Sequence, residues 1–321
     1  MDDTFSNLPE ALLILIISFL PLKDAVMTSV LSKRWLNLWT NTMAIDLNED
    51  QFLEIQRQRR LLGSGRKSWA LHIKNQGRRR FAEFICQMLP CFEGPKISKF
   101  SLRFSYQTEY HYCMEEWIQF SISKKVEEIH LDLSDGDLPP NTTAFFESLF
   151  CLPDFLYAYK SLCVLNLDSC KFSPSNFQCF MTLRSLSLRR IKLPQEVIED
   201  VIANSPFLIN LSLIECFDLY YLSVSGVRLP LKKLIVRDCM PLSLGIEIYA
   251  PELQSFEYFG SMVTFYLENL VSLSNVILDF GLESKFYYYG VELSDLLHEF
   301  NHAKGLTVCS YLIQMLVQDV I

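Results

Sequence analysis

His298-Glu299-Phe300-Asn301-His302 reads H-E-x-x-H. On a helix that spacing sets two histidines one turn apart to hold zinc, with the glutamate placed as a general base. Gly305 extends the match toward the longer form H-x-x-G-x-x-H, but Val308 stands where the third histidine belongs and no Glu follows His302. A catalytic zinc needs three protein ligands, so the set is incomplete. Leu293, Leu296 and Leu297 precede it at the spacing of an ordinary packed helix. No Gly-rich phosphate loop, G-x-S-x-G elbow or Cys-His arrangement occurs elsewhere. The expectation is therefore no catalytic residue, no metal and no cofactor, with a zinc hydrolase as the minor alternative. A second chemical feature is basic: Arg57, Arg59, Arg60, Arg66, Lys67, Lys74, Arg78, Arg79 and Arg80. It reads as a solvated loop and helix start, or else as a nuclear import signal or a contact for an acidic partner.

The elements that would position these residues follow from bulk properties and periodicity. The 321 residues are 50% apolar and 21% charged, a folded chain of about two domains or one domain and a solenoid. A net charge of −8 argues against nucleic acid as the main partner. Ten cysteines without a C-x-x-C pair read as buried thiols in a reducing compartment. Ala11 to Leu20 is too short for a membrane span, and Asp2 and Asp3 replace the positive start of a signal peptide.

Asn7, Pro9 and Glu10 form a helix-start pattern in which Asn7 caps and Glu10 completes a capping box. Leu12, Leu13, Ile16, Ile17 and Leu20 follow as a wide apolar stripe that Pro21 stops. Lys23 to Leu31 reads as a second helix with Ala25, Val26, Ser29 and Val30 inward. Ser32 caps a third that gathers Trp35, Leu36 and Trp39. A bundle of roughly 45 residues is near the lower limit for independent folding, so its surplus apolar surface points to a partner protein.

Leu8-Pro9, Leu12-Leu13, Ile16, Ser18, Leu20-Pro21 and the run Ser29-Val30-Leu31-Ser32-Lys33-Arg34-Trp35 resemble the F-box, in its plant form especially. The resemblance implies docking on a Skp-type adaptor, which links the bundle to a cullin ubiquitin ligase. It implicates Leu8, Pro9, Leu12, Ile16, Leu20, Val30 and Trp35 in that contact, although any of them, Ile16 and Trp35 above all, can equally be the bundle's own core.

Ala44 to Leu47 alternates like a short strand, and Phe81, Phe84, Ile85, Met88 and Leu89 recur at helical spacing up to Pro90. A repeat then emerges. Leu162-x-x-Leu165-x-Leu167-x-x-Cys170 recurs from Leu183, Leu208 and Leu231, with looser copies from Ile97, Val126, Leu253, Leu273 and Ala303. This is the spacing of leucine-rich repeats: L-x-L is a strand facing inward, and the Cys position turns the chain. One unit cannot bury its face, so the copies must stack into a parallel solenoid. Leu219-x-x-Leu222-x-Val224 interrupts the register, and Pro139, Pro140 and Pro153 mark an irregular stretch. Plant F-box proteins with leucine-rich repeats are similar, and Leu306 to Tyr311 resembles the strand ahead of their FBD region; the chain ends at Ile321.

The expected architecture is α/β: an F-box over 1–50, a basic linker and helix over 51–96, and an irregular leucine-rich-repeat solenoid with a parallel sheet over 97–321. Residues between the strand leucines fall on the concave surface, namely Asn166, Asp168, Ser187, Arg189, Ser212, Ile214, Ile235, Arg237 and Glu257. Their mixed chemistry suits a protein target, with Ile214 and Ile235 as apolar anchors. With the resemblance this makes the chain a substrate-recognition subunit of a Skp–cullin–F-box ubiquitin ligase, resident in nucleus or cytoplasm. A small-molecule-dependent receptor of the same architecture is the alternative.

Overall fold

The computed structural model describes residues 8–53, 67–134, 143–174, 180–226, 229–281, 297–300, 303–310 and 312–313, without the side chains of 67–73 and 143–144. It divides into two compact units, Met1–Leu156 and Tyr157–Ile321. Among the described residues no helix is long and apolar enough to cross a membrane.

In the first unit helix α1 (Glu10–Ser18) starts behind Pro9, which makes no side-chain cap bond. The amides of Leu12 and Leu13 donate instead to the Pro9 carbonyl, 3.0 and 3.2 Å away. Asn7, the expected cap, lies outside the described residues. Pro21 plays the same part for α2 (Leu22–Met27); proline needs no hydrogen-bond acceptor at a helix start and its φ is preset.

The second helix is shorter than its pattern suggests. It gives way to a single 3-10 turn at Thr28–Val30, and where Ser32 would cap a third helix the chain runs through turns to a 3-10 turn at Leu38–Asn41. Side-chain hydroxyls compete for the backbone there. Ser29 Oγ donates to the Leu36 carbonyl (2.9 Å), Thr40 Oγ1 to that of Asn37 (2.7 Å) and Thr42 Oγ1 to that of Trp39 (3.0 Å). The core still forms: Leu13, Ile17, Ala25 and Leu38 are buried together, with Leu8, Trp35 and Trp39 packed against them.

Strand β1 (Ala44–Asn48) leaves the bundle and pairs in parallel with β2 (Lys99–Arg103), which pairs with β3 (Glu128–Asp132). The sheet thus begins ahead of Ile97, where the repeat becomes readable, and Ala44–Asn48 belongs to it as well as following the bundle. Parallel neighbours need a long crossover, here containing α3 (Lys67–Met88), so no short-range repeat announces β1. Phe81, Ile85 and Met88 of α3 and Met114, Trp117 and Ile118 of α4 (His111–Ser123) are buried with Phe100, Leu102, Ile129 and Leu131 of the strands. Phe104 stands between the two helices, stacked on Phe81 at 6.2 Å and edge-on to Trp117 at 5.5 Å.

In the second unit β4 (Val164–Asp168), β5 (Ser185–Arg189), β6 (Asn210–Ile214), β8 (Lys233–Arg237), β10 (Ser255–Phe259), β12 (Asn275–Asp279) and β13 (Gly305–Val308) pair successively in parallel. Their inward positions, Leu165 and Leu167 through Val276 and Leu278, are buried row upon row. After each of β4, β5, β6 and β8 one residue takes a left-handed turn: Ser169, Arg190, Glu215 and Asp238, with φ 57, 51, 51 and 50°. Its amide donates to the last carbonyl of the next strand, at 3.0, 3.0, 2.7 and 2.7 Å. That ladder bond offsets the cost of the unusual φ and drops Cys170, Ile191, Cys216 and Cys239 into the core. Burial raises the Cys216 thiol well above the ordinary range, keeping it a donor to the Leu188 carbonyl at 3.4 Å.

The interruption at Leu219 is a second sheet. Strand β7 (Leu219–Ser225) pairs in parallel with β9 (Pro241–Tyr249), and β9 with β11 (Phe265–Glu268). Leu222, Val224, Ile246 and Ile248 are its buried side. The half-spaced leucine pattern is a strand because the period-2 alternation continues after the turn at Asp218, where φ is 60°.

Candidate functional site

Two surfaces carry the residues expected to act. On the bundle, Leu13 and Ile17 point inward from α1 with no exposure, while Leu12, Ile16 and Leu20 on the same stretch are 38–45% exposed and Val30 is 78% exposed. Pro9 is exposed, whereas Leu8 and Trp35 are half-buried and pack on the bundle core. Arg34 donates a hydrogen bond to the Leu8 carbonyl, bringing the Leu-Pro pair beside the Lys33-Arg34-Trp35 segment. Ser18 Oγ donates to the Ile14 carbonyl (2.7 Å) and accepts the Met43 amide (3.1 Å), joining α1 to the start of β1.

The sequence reading missed part of this surface. Leu15, Phe19, Met27, Leu31 and Leu36 are also exposed, Phe19 at 80%. The available signal was that α1 is apolar all round, which in a small bundle means one face must look outward. Exposed apolar side chains in such number mark a docking surface.

The second surface is the outer face of the repeat sheet. Asn166, Ser187, Ser212, Ile235, Glu257, Ile277 and Thr307 stand in one register row. Asp168, Arg189, Ile214, Arg237, Phe259 and Asp279 stand in the next. All nine residues expected on the concave surface therefore fall in two adjoining rows. Phe259, Ile277, Thr307 and Asp279 were missed because the copies from Leu253, Leu273 and Ala303 are looser in sequence.

Charge on this face is mostly paired. The Asp168 carboxylate, nearly buried, accepts from Arg190 Nε (2.7 Å) and Ser169 Oγ (2.8 Å), so it is engaged within the turn rather than offered outward. Arg189 Nη2 meets Glu215 at 3.0 Å and Lys233 Nζ meets Glu257 at 2.7 Å. The Arg237 guanidinium lies over the Phe259 ring, 4.2 Å from its centroid. In the first unit, taken by itself, Asp46, Ser101 and His130 share one register row, and Arg103 bridges Asp50 and Asp132.

Of the H-E-x-x-H residues, His298 and Glu299 are exposed on a helical turn, and Phe300 between the histidines is buried, stacked on Phe256 at 6.2 Å. His302 lies outside the described residues. The turn therefore carries a packing residue of a repeat. Of the basic run, 54–66 lie outside the described residues, and Arg78 is buried beside Glu49.

Residues 5–43 match the family model of the F-box domain, and residues 91–314 match that of the At1g61320/AtMIF1 LRR domain. The F-box/LRR-repeat protein At1g56400 of Arabidopsis thaliana is 30% identical over 98% of this chain and 64% of its own length. The F-box protein At3g62230 of the same plant is 28% identical over 98% of this chain and 66% of its own length. F-box/LRR-repeat protein 25, again from Arabidopsis thaliana, is 29% identical over 78% of this chain and 84% of its own length. The chain thus spans about two thirds of the length of the first two.

Proposed function

The chain belongs to the plant F-box/LRR-repeat family, and from that premise we propose that it is the target-holding subunit of a Skp–cullin ubiquitin ligase. The bundle docks on a Skp-type adaptor, and the repeats hold a protein target. Members of this architecture work as adaptors rather than as catalysts. The observation that carries the reading is the outward apolar surface of α1 and the turn after α2, with Leu12, Ile16, Leu20 and Val30 exposed beside a fully buried Leu13 and Ile17. An exposed apolar surface of this kind is characteristic of a face that a partner covers.

The chain's part in the reaction is geometric. Holding two bound groups on one scaffold raises the effective concentration of target lysines around the ubiquitin-charged enzyme. Such an assembly operates in the nucleus or cytoplasm.

The test is co-expression with a Skp-type adaptor, comparing the wild type with an Ile16→Asp/Val30→Asp variant. Both positions are exposed, so the variant keeps its fold and its unfolding temperature. The wild type co-elutes with the adaptor and the variant does not. A folded wild type that elutes alone would overturn the adaptor role.

A further inference from the structure

We propose that Arg237, stacked on Phe259 on the outer face of the repeat sheet, anchors an acidic side chain of the polypeptide that the repeats hold, an aspartate or glutamate flanked by aliphatic residues. This rests on the reading that the repeats hold a protein target.

Arg237 differs from the cations around it. Arg189 is paired with Glu215, Arg190 with Asp168 and Lys233 with Glu257. Among the described residues Arg237 has no carboxylate partner. On the strands either side, Glu215 and Glu257 are held by other cations, and among the described residues Asp238, next in the chain, makes no ion pair with it. What holds the Arg237 side chain is the ring of Phe259, 4.2 Å from the guanidinium carbon. Stacking fixes the plane of the group without neutralising its charge.

Accessibility decides which edge of the guanidinium is offered. Among the described residues Nε is shut away from solvent without an acceptor, and the two terminal nitrogens, which also find no acceptor there, are not fully shut away. The group therefore presents its Nη1–Nη2 end, which matches the two oxygens of a carboxylate in a paired hydrogen bond. Its planar fork is already oriented, so little ordering is left to be done on binding.

The surroundings suit a hot spot. Ile214 and Phe259 flank Arg237 across the strands, Ile235 lies two residues before it on the same face, and Ile277 stands beside Glu257 in the adjoining row. A single arginine within a half-buried apolar rim is the composition found at the energetic centres of protein interfaces. The aliphatic rim selects neighbours of the acid in the target. Glu215 and Glu257 close by favour a singly charged carboxylate over a doubly charged phosphate.

The full chain is expressed with and without a Skp-type adaptor and used to select from a displayed random-peptide library. The expected outcome is enrichment of Asp or Glu at one position beside Leu, Ile or Val. Arg237→Gln weakens binding of a selected peptide by about tenfold or more. Arg237→Glu exchanges the preference at that position for Lys or Arg. Two outcomes overturn the assignment: no acidic enrichment by the folded wild type, or the same peptides selected by wild type and Arg237→Glu. Tighter binding of the phosphoserine form of a selected peptide would overturn the carboxylate choice. Adaptor co-elution in the same preparations separates the two readings. Adaptor bound without acidic selection removes the anchor alone, and acidic selection without adaptor binding removes the adaptor role alone.

Discussion

Arg78 Nε lies 3.2 Å from Glu49 Oε1 with both side chains shut away from solvent, 1% and 2% exposed. Arg78 comes from the middle of α3 and Glu49 from the residue after β1. The other Glu49 oxygen accepts the Ser105 amide at 2.7 Å, just beyond β2. One carboxylate therefore joins three segments of the first unit. Burial raises its pKa above the ordinary 4.5 even against the attraction of Arg78 and the Ser105 amide.

Arg78→Met leaves that carboxylate buried and uncompensated, and the expected loss at neutral pH is about 3–5 kcal/mol in urea unfolding. The loss shrinks on acidification as Glu49 takes up a proton. In Arg78→Met/Glu49→Gln most of it returns, because the amide oxygen still accepts from Ser105 and no lone charge remains. Equal destabilisation of the single and double variants would show that the pair does not act as a unit.

Leu12 and Leu13 are adjacent in sequence and opposite in role. Leu13→Ala opens the bundle core and is expected to cost about 2–5 kcal/mol, while Leu12→Ala stays within about 0.5 kcal/mol of the wild type. Chemical unfolding of the two variants decides it, and a comparable loss in both would place Leu12 in the core.

Gly245 has φ +105°, and a Cβ there would stand 2.6 Å from the Thr264 carbonyl oxygen. That oxygen also accepts the Ile246 amide at 2.9 Å. Gly245→Ala is expected to cost about 1–3 kcal/mol in backbone strain and to speed hydrogen exchange at Ile246. Unchanged exchange would mean that the added methyl is accommodated without loosening the bond between Ile246 and Thr264.

His130 sits on the outer face of β3, where burial first and the Lys99 charge second lower its pKa below 6.5, against smaller opposing effects of Glu128 and Asp46. The unfolded chain then binds a proton that the folded one does not, in the window between the lowered value and 6.5. Stability rises with pH through that window, is full above 6.5 and is lost as pH falls through it. His130→Gln flattens this slope; an unaltered slope in urea unfolding between pH 5 and pH 7 would assign it to other groups.

The repeat strands and their inward rows were readable in the sequence because alternation is local: Leu165 and Leu167 must share a face once the segment is extended. The F-box was readable for a related reason, since proline starts and apolar spacing act within a few residues. The second sheet was visible only as a break in register at Leu219, because nothing local says that β7 pairs with β9 and β11. The third bundle helix was overestimated because the hydroxyls of Ser29, Thr40 and Thr42 bond to the backbone instead.

What the sequence by itself determined, then, is which segments are strands and helices and which of their faces are apolar. Only the tertiary structure decided the fate of the charges. Arg78 looked like one of a solvated run and is buried on Glu49; Asp168 looked like a binding residue and is held by Arg190; Arg237 looked like its neighbours and is stacked on Phe259, with no carboxylate partner among the described residues. Pairing and burial depend on groups brought within a few ångströms from 22 to 29 residues away. Spacing along one element carries no record of them.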